Sequence, residues 1–318
     1  MKICLLEPLG VSRELIDELA DPVRAAGHTF VDYDQRTTDV EELKRRSENC
    51  DVVMIANTPY PSEVIRASRQ LKMLDVAFTG IDHVGLDACR ECGVLVCNAA
   101  NYSNQTVAEM TIGMAIALLR KTKQSDIRVR EGGTSAGLMG GEIAGRTIGI
   151  VGTGRIGMIT ARLFQAFGAD VIAYSRTEKP EAVAMGIRYV SLETLMRTSD
   201  IISLHMPSNA STKGMIDRKR IGMMKPQAML INCARGPIVD SKALADALNE
   251  ERIAGAGIDV FTSEPPIPED EPLLHAKNTL LTPHIAFLSE ESMVRRAKIV
   301  FKNLYAYLDG RPENVCKG

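Results

Sequence analysis

One arginine, one glutamate and one histidine stand at corresponding places in the second half of the chain. Arg235, Glu264 and His284 each follow an apolar run that is typical of a β-strand. In open α/β sheets, ligands bind beyond the carboxyl ends of the strands. An arginine grips a planar carboxylate, a histidine gives a proton to a carbonyl oxygen, and a glutamate orients the imidazole. Together they predict the reduction of a 2-keto acid, although alone Arg235 could cap a helix and His284 could be a core histidine.

A glycine-rich turn precedes this set. The apolar run Thr147–Val151 leads into a turn that opens a helical pattern and consists of Gly152, Thr153, Gly154, Arg155, Ile156 and Gly157. The first glycine permits the turn, the second lets the backbone approach a diphosphate, and the third permits close packing of helix on strand. The helix N-terminus attracts the phosphates. The context predicts dinucleotide binding, and the alternative is a turn with a packing role alone.

The end of the next strand bears on the choice of dinucleotide. Sites for NAD usually place Asp or Glu there, about 20 residues on, to bind the ribose 2′-hydroxyl. Here the strand ends in Ser175, Arg176 and Thr177, so Ser175 and Arg176 can face a 2′-phosphate, with Lys179 as a second cation. The pattern favours NADP(H). NAD(H) is the alternative, with Arg176 stacked on the adenine or solvated.

The elements that must position these residues alternate between apolar runs and amphipathic helical stretches. Early strand candidates are Lys2–Leu6, Asp51–Ile55, Met73–Ala77 and Val94–Cys97, and early helix candidates are Ser12–Ala20, Val40–Glu48, Pro61–Ser68 and Asp87–Cys92. A second series has six strand candidates, Thr147–Val151, Asp170–Ala173, Asp200–Leu204, Met229–Asn232, Gly255–Ile258 and Thr279–Leu281. Its helix candidates are Arg155–Phe167, Leu192–Arg197, Asp217–Met224 and Lys242–Glu250. Strands separated by helices predict βαβ units and parallel sheets.

Two further helical patterns bear on how the series are joined. Thr106–Arg130 is a long helical pattern between them that could bridge domains or mediate association. Ser289–Leu308 is amphipathic and no strand follows it, so it can pack back on the first domain. We therefore expect a discontinuous substrate domain, residues 1–100 plus 288–318, around a dinucleotide-binding domain of residues 101–287.

Composition narrows the functional class. The 318 residues fit two domains, and 38 Lys plus Arg against 40 Asp plus Glu give no electrostatic reason to expect nucleic acid or membrane as a partner. The first strand is interrupted by Glu7 and Pro8, which argues against a signal peptide, and a cytoplasmic protein with seven reduced cysteines is expected. Cys89 and Cys92 lack the second ligand pair of a zinc site, so no metal is expected.

The motifs together resemble the D-isomer-specific 2-hydroxyacid dehydrogenase family, in particular glyoxylate and hydroxypyruvate reductases. The resemblance covers nearly the whole chain and rests on Gly152, Gly154, Gly157, His205-Met206-Pro207, Thr212, Arg235, Asp259, Glu264 and His284. It implies two α/β domains with Rossmann-like or flavodoxin-like parallel sheets, an active site in the cleft between them, and usually a homodimer.

The resemblance also implies roles for individual residues. Arg235 would bind the substrate, His284 would be the acid/base, and Glu264 would be its partner. Further cofactor contacts would come from Thr106, His205, Pro207, Thr212, Cys233, Ala234 and Asp259. Substrate contacts would come from Phe78, Thr79, Gly80, Ile81 and Phe287. Phe78 replaces a more usual glycine and Phe287 a more usual small residue, so both either narrow the pocket or pack at the hinge.

We therefore expect an NADPH-preferring reductase of short 2-keto acids, with glyoxylate or hydroxypyruvate first. The rival substrates within the family are 3-phosphoglycerate, branched keto acids and phosphite. A rival from another class is a dinucleotide-sensing corepressor or scaffold on the same fold. The intact set of Arg235, Glu264 and His284 favours the enzyme.

Overall fold

Two units, each built on one parallel sheet, make up the chain. This computed structural model describes residues 1–263 and 266–316. One unit combines Met1–Ser103 with Leu288–Gly318, and the other is Asn104–Phe287. Every strand pairing in both sheets is parallel. The predicted class, α/β with two parallel sheets, is confirmed.

The first unit carries a five-stranded sheet in the order β2-β1-β3-β4-β5. Its strands are β1 (Lys2–Leu5), β2 (Thr29–Asp32), β3 (Val52–Ile55), β4 (Met73–Val76) and β5 (Leu95–Asn98). The helices between them are α1 (Arg13–Ala25), α2 (Val40–Ser47), α3 (Ser62–Ala67) and α4 (Leu86–Cys92). The side chains of Ser12 and Asp39 cap α1 and α2 by accepting hydrogen bonds from backbone N–H groups in the first turn.

The second unit carries a seven-stranded sheet in the order β12-β11-β10-β9-β6-β7-β8. Its strands are β6 (Thr147–Val151), β7 (Asp170–Tyr174), β8 (Arg188–Tyr189), β9 (Ile201–Leu204), β10 (Met229–Asn232), β11 (Gly255–Ile258) and β12 (Thr279–Leu281). Its helices are α5 (Asn104–Leu119), α6 (Thr122–Arg130), α7 (Arg155–Ala166), α8 (Pro180–Ala184), α9 (Leu192–Thr198), α10 (Arg218–Ile221) and α11 (Ser241–Asn249). The order reverses between β6 and β9, and such a switch point is where open α/β sheets bind ligands.

The last helix, α12 (Glu290–Leu308), returns to the first unit. Ser289 and Ser292 form a capping box at its start. The Asn303 Nδ2 donates to Oδ1 of the buried Asp75 at 3.0 Å and to the carbonyl oxygen of Asn98 at 3.1 Å. These bonds satisfy polar groups inside the unit, so α12 is part of its core.

Several predicted elements were wrong in extent. The sequence patterns missed β2 and β8, which are short edge strands with no fully buried residue, and they also missed α8. The single helix predicted over Thr106–Arg130 is two helices, because Lys121 takes a left-handed backbone conformation with φ of 50°. Helix α1 continues beyond the predicted end at Ala20 and contains Pro22, at the cost of one backbone hydrogen bond.

The cysteines also differ from expectation. The structure joins Cys4 in β1 to Cys50 just before β3 in a disulfide, with the two Cα atoms 6.4 Å apart. The expectation that all seven are reduced is therefore wrong at this pair. Thiols are present at Cys89, Cys92, Cys97, Cys233 and Cys316.

Neither a metal cluster nor a membrane helix is found in the part of the chain that the structure describes. Within residues 1–263 and 266–316, no three His, Cys, Asp or Glu side chains are grouped so that they could hold a metal ion. Over the same ranges, no helix has the length and apolar character needed to cross a bilayer.

Candidate functional site

A cavity of about 270 Å³ opens in the second unit beside the turn between β6 and α7. Residues predicted to contact the cofactor border it, namely Gly152, Thr153, Gly154, Ser175, Arg176, His205, Pro207 and Thr212. The remaining border residues are Tyr174, Met206, Asn209, Ser211 and Met215. The fold thus brings the glycine turn, the end of β7 and the segment after β9 to one space.

Two positions of the glycine turn have no room for a side chain, because backbone carbonyl groups approach them closely. Gly152 has φ of 102°, and a Cβ there would lie 2.5 Å from the carbonyl oxygen of His205. A Cβ on Gly157 would lie 2.0 Å from the carbonyl oxygen of Gly152. Gly154 begins α7 without a side-chain cap, so the first N–H groups of the helix are not used by a capping side chain. The turn therefore fits a dinucleotide diphosphate at the helix N-terminus.

The end of β7 presents a cation to the same cavity. Ser175 is half-buried, whereas Arg176 and Thr177 are exposed. Among the residues that the structure describes, none forms a hydrogen bond or ion pair with the Arg176 side chain. A guanidinium without a carboxylate partner is suited to an anionic group on the ligand.

The segment after β9 forms a fixed wall of the cavity. His205 Nε2 lies 2.8 Å from Ser203 Oγ, and burial lowers the pKa of the imidazole to about 3. His205 is therefore neutral at physiological pH and cannot contribute a positive charge. The Thr212 hydroxyl donates to the carbonyl oxygen of Pro207 at 2.6 Å and accepts from the Asn209 N–H at 2.9 Å. These bonds hold the turn that faces the ligand space.

Arg235 follows β10 on a turn that the Asn232 side chain closes. The Asn232 Oδ1 accepts from the Ala234 N–H at 3.0 Å, and its Nδ2 donates to the Arg235 carbonyl oxygen at 2.9 Å. The Arg235 guanidinium is half-buried and donates to the carbonyl oxygen of Ala234 at 2.7 Å. A Cβ on Gly236 would lie 1.9 Å from the Phe261 carbonyl group, so only glycine fits there. The backbone that carries Arg235 is therefore tightly constrained.

His284 follows β12 and is held by Asp259, which follows β11. The His284 backbone has φ of 55°, and its N–H donates to the Asp259 carbonyl oxygen at 2.8 Å. The fully buried Asp259 carboxylate accepts from the Thr282 hydroxyl at 2.5 Å and from the N–H groups of Ile285 and Ala286 at 2.8 and 2.9 Å. Asp259 thus fixes the segment on both sides of His284.

An aromatic ring lies beside the His284 imidazole. The centroids of the His284 and Phe287 rings are 5.5 Å apart, and the ring planes are nearly perpendicular at 89°. Both side chains are half-buried. Phe287 therefore restricts the space around the imidazole within the second unit.

Other predicted cofactor residues do not border the cavity. They are Thr106, Arg155, Ile156, Gly157, Thr177, Cys233, Ala234 and Asp259. Arg155, Ile156 and Gly157 form the first turn of α7, and Thr106 lies in the first turn of α5. The Cys233 Sγ lies 3.7 Å from the Met114 sulfur, and burial raises the pKa of this thiol to about 12, so it is protonated.

The predicted substrate loop follows β4 in the first unit. Phe78 is buried, with its ring centroid 6.0 Å from that of Tyr102. The Thr79 carbonyl oxygen accepts from the Asn98 side chain at 2.7 Å, and Gly80 and Ile81 are half-buried. Phe78 thus packs inside the first unit. Glu264, the predicted partner of His284, lies outside the described residues.

Two positioning roles were missed in the sequence. Asn232 accepts a hydrogen bond from the N–H two residues on, and an Asn at the end of a strand before a turn is a signal for that geometry. Thr282 donates to Asp259, but the two are 23 residues apart and no local pattern links them. Only the parallel pairing of β11 with β12 brings them together.

Comparison with known proteins finds a family model and relatives that match this chain. The family model for the D-isomer specific 2-hydroxyacid dehydrogenase, NAD binding domain, matches residues 112–286. A hydroxypyruvate reductase of Blautia hydrogenotrophica is 34% identical over 303 residues, which cover 92% of this chain and 93% of that protein. A glyoxylate reductase of Korarchaeum cryptofilum is 37% identical over 278 residues, covering 85% of this chain and 83% of that protein.

A solved structure extends the similarity to the whole fold. An acyclic imino acid reductase in complex with NADPH and D-Arg superposes with a TM-score of 0.89 at 32% identity, covering 100% of both chains. The similarity to this solved structure spans both units, whereas the match to the family model lies within the second unit. On this evidence the chain belongs to the D-isomer specific 2-hydroxyacid dehydrogenase family.

Proposed function

We propose that this protein uses NADPH to reduce short 2-keto acids to D-2-hydroxy acids, with glyoxylate and hydroxypyruvate as the favoured substrates. The carrying observation is the border of the cavity, where Ser175 and Arg176 face the same space as the glycine turn. A guanidinium and a hydroxyl match a phosphate on the ribose, and the strand end lacks the carboxylate typical of NAD sites. The names of the two relatives support the substrate class.

The residues present fit the cofactor. The turn Gly152–Gly157 and the start of α7 would hold the diphosphate, and Ser175 and Arg176 would hold the 2′-phosphate. When bound, a nicotinamide dinucleotide supplies the hydride that the keto carbon accepts. NAD(H) is the alternative cofactor.

The chain's own groups then handle the substrate. Arg235 binds the carboxylate through paired hydrogen bonds, because its planar fork of donors matches two oxygens. His284 gives its proton to the carbonyl oxygen, which becomes the hydroxyl of the product. Asp259 keeps the His284 segment in place through the bonds described above. Glu264 is proposed to orient the imidazole.

A substrate panel tests this function. Purified protein is mixed with NADPH or NADH and with glyoxylate, hydroxypyruvate, 3-phosphohydroxypyruvate or a branched keto acid, and nicotinamide absorbance is followed. We expect the highest kcat/KM for glyoxylate or hydroxypyruvate with NADPH. Faster turnover of 3-phosphohydroxypyruvate would instead assign a 3-phosphoglycerate dehydrogenase. Tight NADPH binding with no turnover would favour the dinucleotide sensor.

We also propose that the protein is a homodimer and that α6 and the segment after it form the interface. Within this fully described helix no residue is buried, and Val129 and Met139 are 72% and 88% exposed. Large apolar side chains exposed to water are candidates for an association surface. Light scattering should give twice the 34.7 kDa chain mass. Val129→Glu combined with Met139→Glu should halve it, and a monomeric wild type would contradict the proposal.

A further inference from the structure

Tyr189 does not border the cavity, yet its hydroxyl contacts Thr153, which does, and Lys179, at the end of the segment that starts with the bordering residues Ser175 and Arg176. The phenol oxygen donates to Thr153 Oγ1 at 2.9 Å and accepts from the Lys179 backbone N–H at 3.0 Å. Thr153 is the second residue of the glycine turn, and Lys179 ends the segment that begins at Ser175. Tyr189 lies on the edge strand β8, paired with Ala173 of β7. One hydroxyl therefore connects the diphosphate turn to the segment after β7.

We infer that Tyr189 is a positioning residue that sets the preference for NADPH over NADH. It does so by holding segment 175–179 at a fixed place relative to the glycine turn. The inference rests on the proposed use of NADPH and deepens it. The ligand chemistry concerned is the 2′-phosphate of the adenosine ribose.

The argument begins with how segment 175–179 is anchored. At its start, the Gly152 N–H donates to the Tyr174 carbonyl oxygen at 2.7 Å, so the end of β7 is tied to the glycine turn. At its other end, the Lys179 N–H is tied to the same turn through the Tyr189 hydroxyl. Arg176 lies between these two anchors, exposed to solvent. Its position over the cavity therefore depends on both.

The phenol is well suited to this role because both of its hydrogen-bonding functions are used. It donates to one partner and accepts from the other. Thr153 is only 1% exposed, so its hydroxyl is a fixed point rather than a mobile surface group. A phenylalanine ring would fill the same space but would leave the Thr153 hydroxyl and the Lys179 N–H without this partner. The segment would then lose its second anchor.

The test compares NADPH and NADH dissociation constants for the wild type and Tyr189→Phe. Losing one such anchor should weaken NADPH binding by about threefold to tenfold. NADH binding should change by less than about twofold, because NADH carries no 2′-phosphate for the segment to hold. The selectivity ratio, Kd for NADH over Kd for NADPH, should fall accordingly. Thr153→Val breaks the same bond from the other side and should lower the ratio as well.

A double-mutant cycle separates positioning from a general structural role. Arg176→Ala removes the charged group of the segment that Tyr189 is inferred to position, so adding Tyr189→Phe to it should lower the selectivity ratio by a smaller factor than Tyr189→Phe does in the wild type. Tyr60→Phe is the matched control, since it removes a buried tyrosine hydrogen bond to Ser47 in the first unit. The selectivity ratio of Tyr60→Phe should equal that of the wild type.

The outcomes distinguish this inference from the cofactor proposal. A wild type that binds NADH as tightly as NADPH overturns the cofactor proposal and the inference together. A wild type that prefers NADPH, with the same ratio in Tyr189→Phe and Thr153→Val, overturns the inference alone. Equal weakening of NADPH and NADH would also overturn it, because the hydroxyl would then support only the diphosphate turn.

Discussion

The His284 N–H donates to the carbonyl oxygen of Asp259 at 2.8 Å, while the Asp259 carboxylate binds the two N–H groups that follow His284. The proposed proton donor therefore sits on a segment whose backbone is fixed by one buried acid. The carboxylate itself is fully buried and does not border the dinucleotide cavity. The residue that fixes the position of His284 is therefore not one of the residues that border the cofactor cavity.

Replacing Asp259 should therefore affect turnover more than cofactor binding. In Asp259→Asn, one of the two oxygens becomes an N–H₂ donor facing groups that are themselves donors. We expect the His284 segment to shift and kcat for keto-acid reduction to fall by roughly tenfold to a hundredfold. The Kd for NADPH should stay within about twofold of wild type.

Steady-state kinetics and fluorescence titration measure the two effects. Asp246→Asn is a suitable control, because Asp246 is a solvent-accessible acid that pairs with Arg218 on the surface. A loss of NADPH binding in Asp259→Asn that matches the loss of kcat would show that Asp259 supports the cofactor site directly.

The cofactor preference should follow the residues at the end of β7. Ser175→Asp combined with Arg176→Ala places a carboxylate where it repels a 2′-phosphate and accepts from ribose hydroxyls. Because hydrogen bonds to charged groups contribute about 1.5–3 kcal/mol, the ratio of kcat/KM for NADPH to that for NADH should fall by roughly tenfold or more. Initial rates with the two cofactors measure it, and a wild type that already uses NADH better would contradict the expectation.

Substrate alignment should depend on the shape of the Arg235 side chain as well as its charge. Arg235→Lys keeps the charge but loses the planar pair of donors. We expect kcat/KM for the keto acid to fall by about a hundredfold, since a misplacement of about 1 Å costs that much. Arg235 does not border the cavity, so NADPH affinity should barely change.

Arg162→Lys, on the exposed side of α7, is the control for this change. Turnover and NADPH fluorescence are measured on the same preparations. Near-normal turnover in Arg235→Lys would remove Arg235 from the proposed site, and lost NADPH binding with an intact fold would make it a cofactor residue.

The stability of the folded protein should decrease as pH rises, because of Asp75. Burial raises the pKa of this carboxyl to about 8 in the folded protein, against an ordinary value near 3.8. Between these values the folded state keeps a proton that the unfolded state has lost. The free energy of unfolding should therefore decrease as pH rises, by up to roughly 1.4 kcal/mol per pH unit from this group, and level off above about pH 8.

Asp75→Asn should remove this part of the pH dependence. The amide oxygen can still accept from Asn303, as Oδ1 does now. Urea unfolding of both proteins at pH 5, 6.5 and 8 compares the slopes. The same slope in Asp75→Asn and wild type would show that Asp75 does not stay protonated in the fold.

The sequence was most informative for features that depend only on residues close together in the chain. The glycine turn could be placed because Gly152 and Gly157 have no room for a Cβ, and that constraint acts within one strand–turn–helix unit. The strands β6, β9 and β10 could be predicted because each is a mostly apolar run whose residues are nearly all buried. The two-residue strand β8 could not be predicted, since it is an edge strand half exposed to water.

Other features that the sequence did not predict are hydrogen bonds between residues far apart in the chain. The bond from Tyr189 to Thr153 joins residues 36 positions apart, and the one from Thr282 to Asp259 spans 23. Neither has a periodicity or a motif, because each depends on the order of strands in the sheet. The break at Lys121 was hidden for another reason, since the helical pattern continues on both sides of a single left-handed residue.

The return of α12 to the first unit has a consequence for synthesis on the ribosome. The second unit is one uninterrupted stretch, Asn104–Phe287, so all of its strands have been made before α12 emerges. The first unit must wait, because Asn303 supplies the hydrogen bonds to Asp75 and Asn98 and Arg296 supplies the one to Leu9. During translation the N-terminal sheet therefore lacks these partners while the inserted unit can already fold. A nascent chain arrested before Glu290 should expose the first unit, rather than the second, to proteases and chaperones.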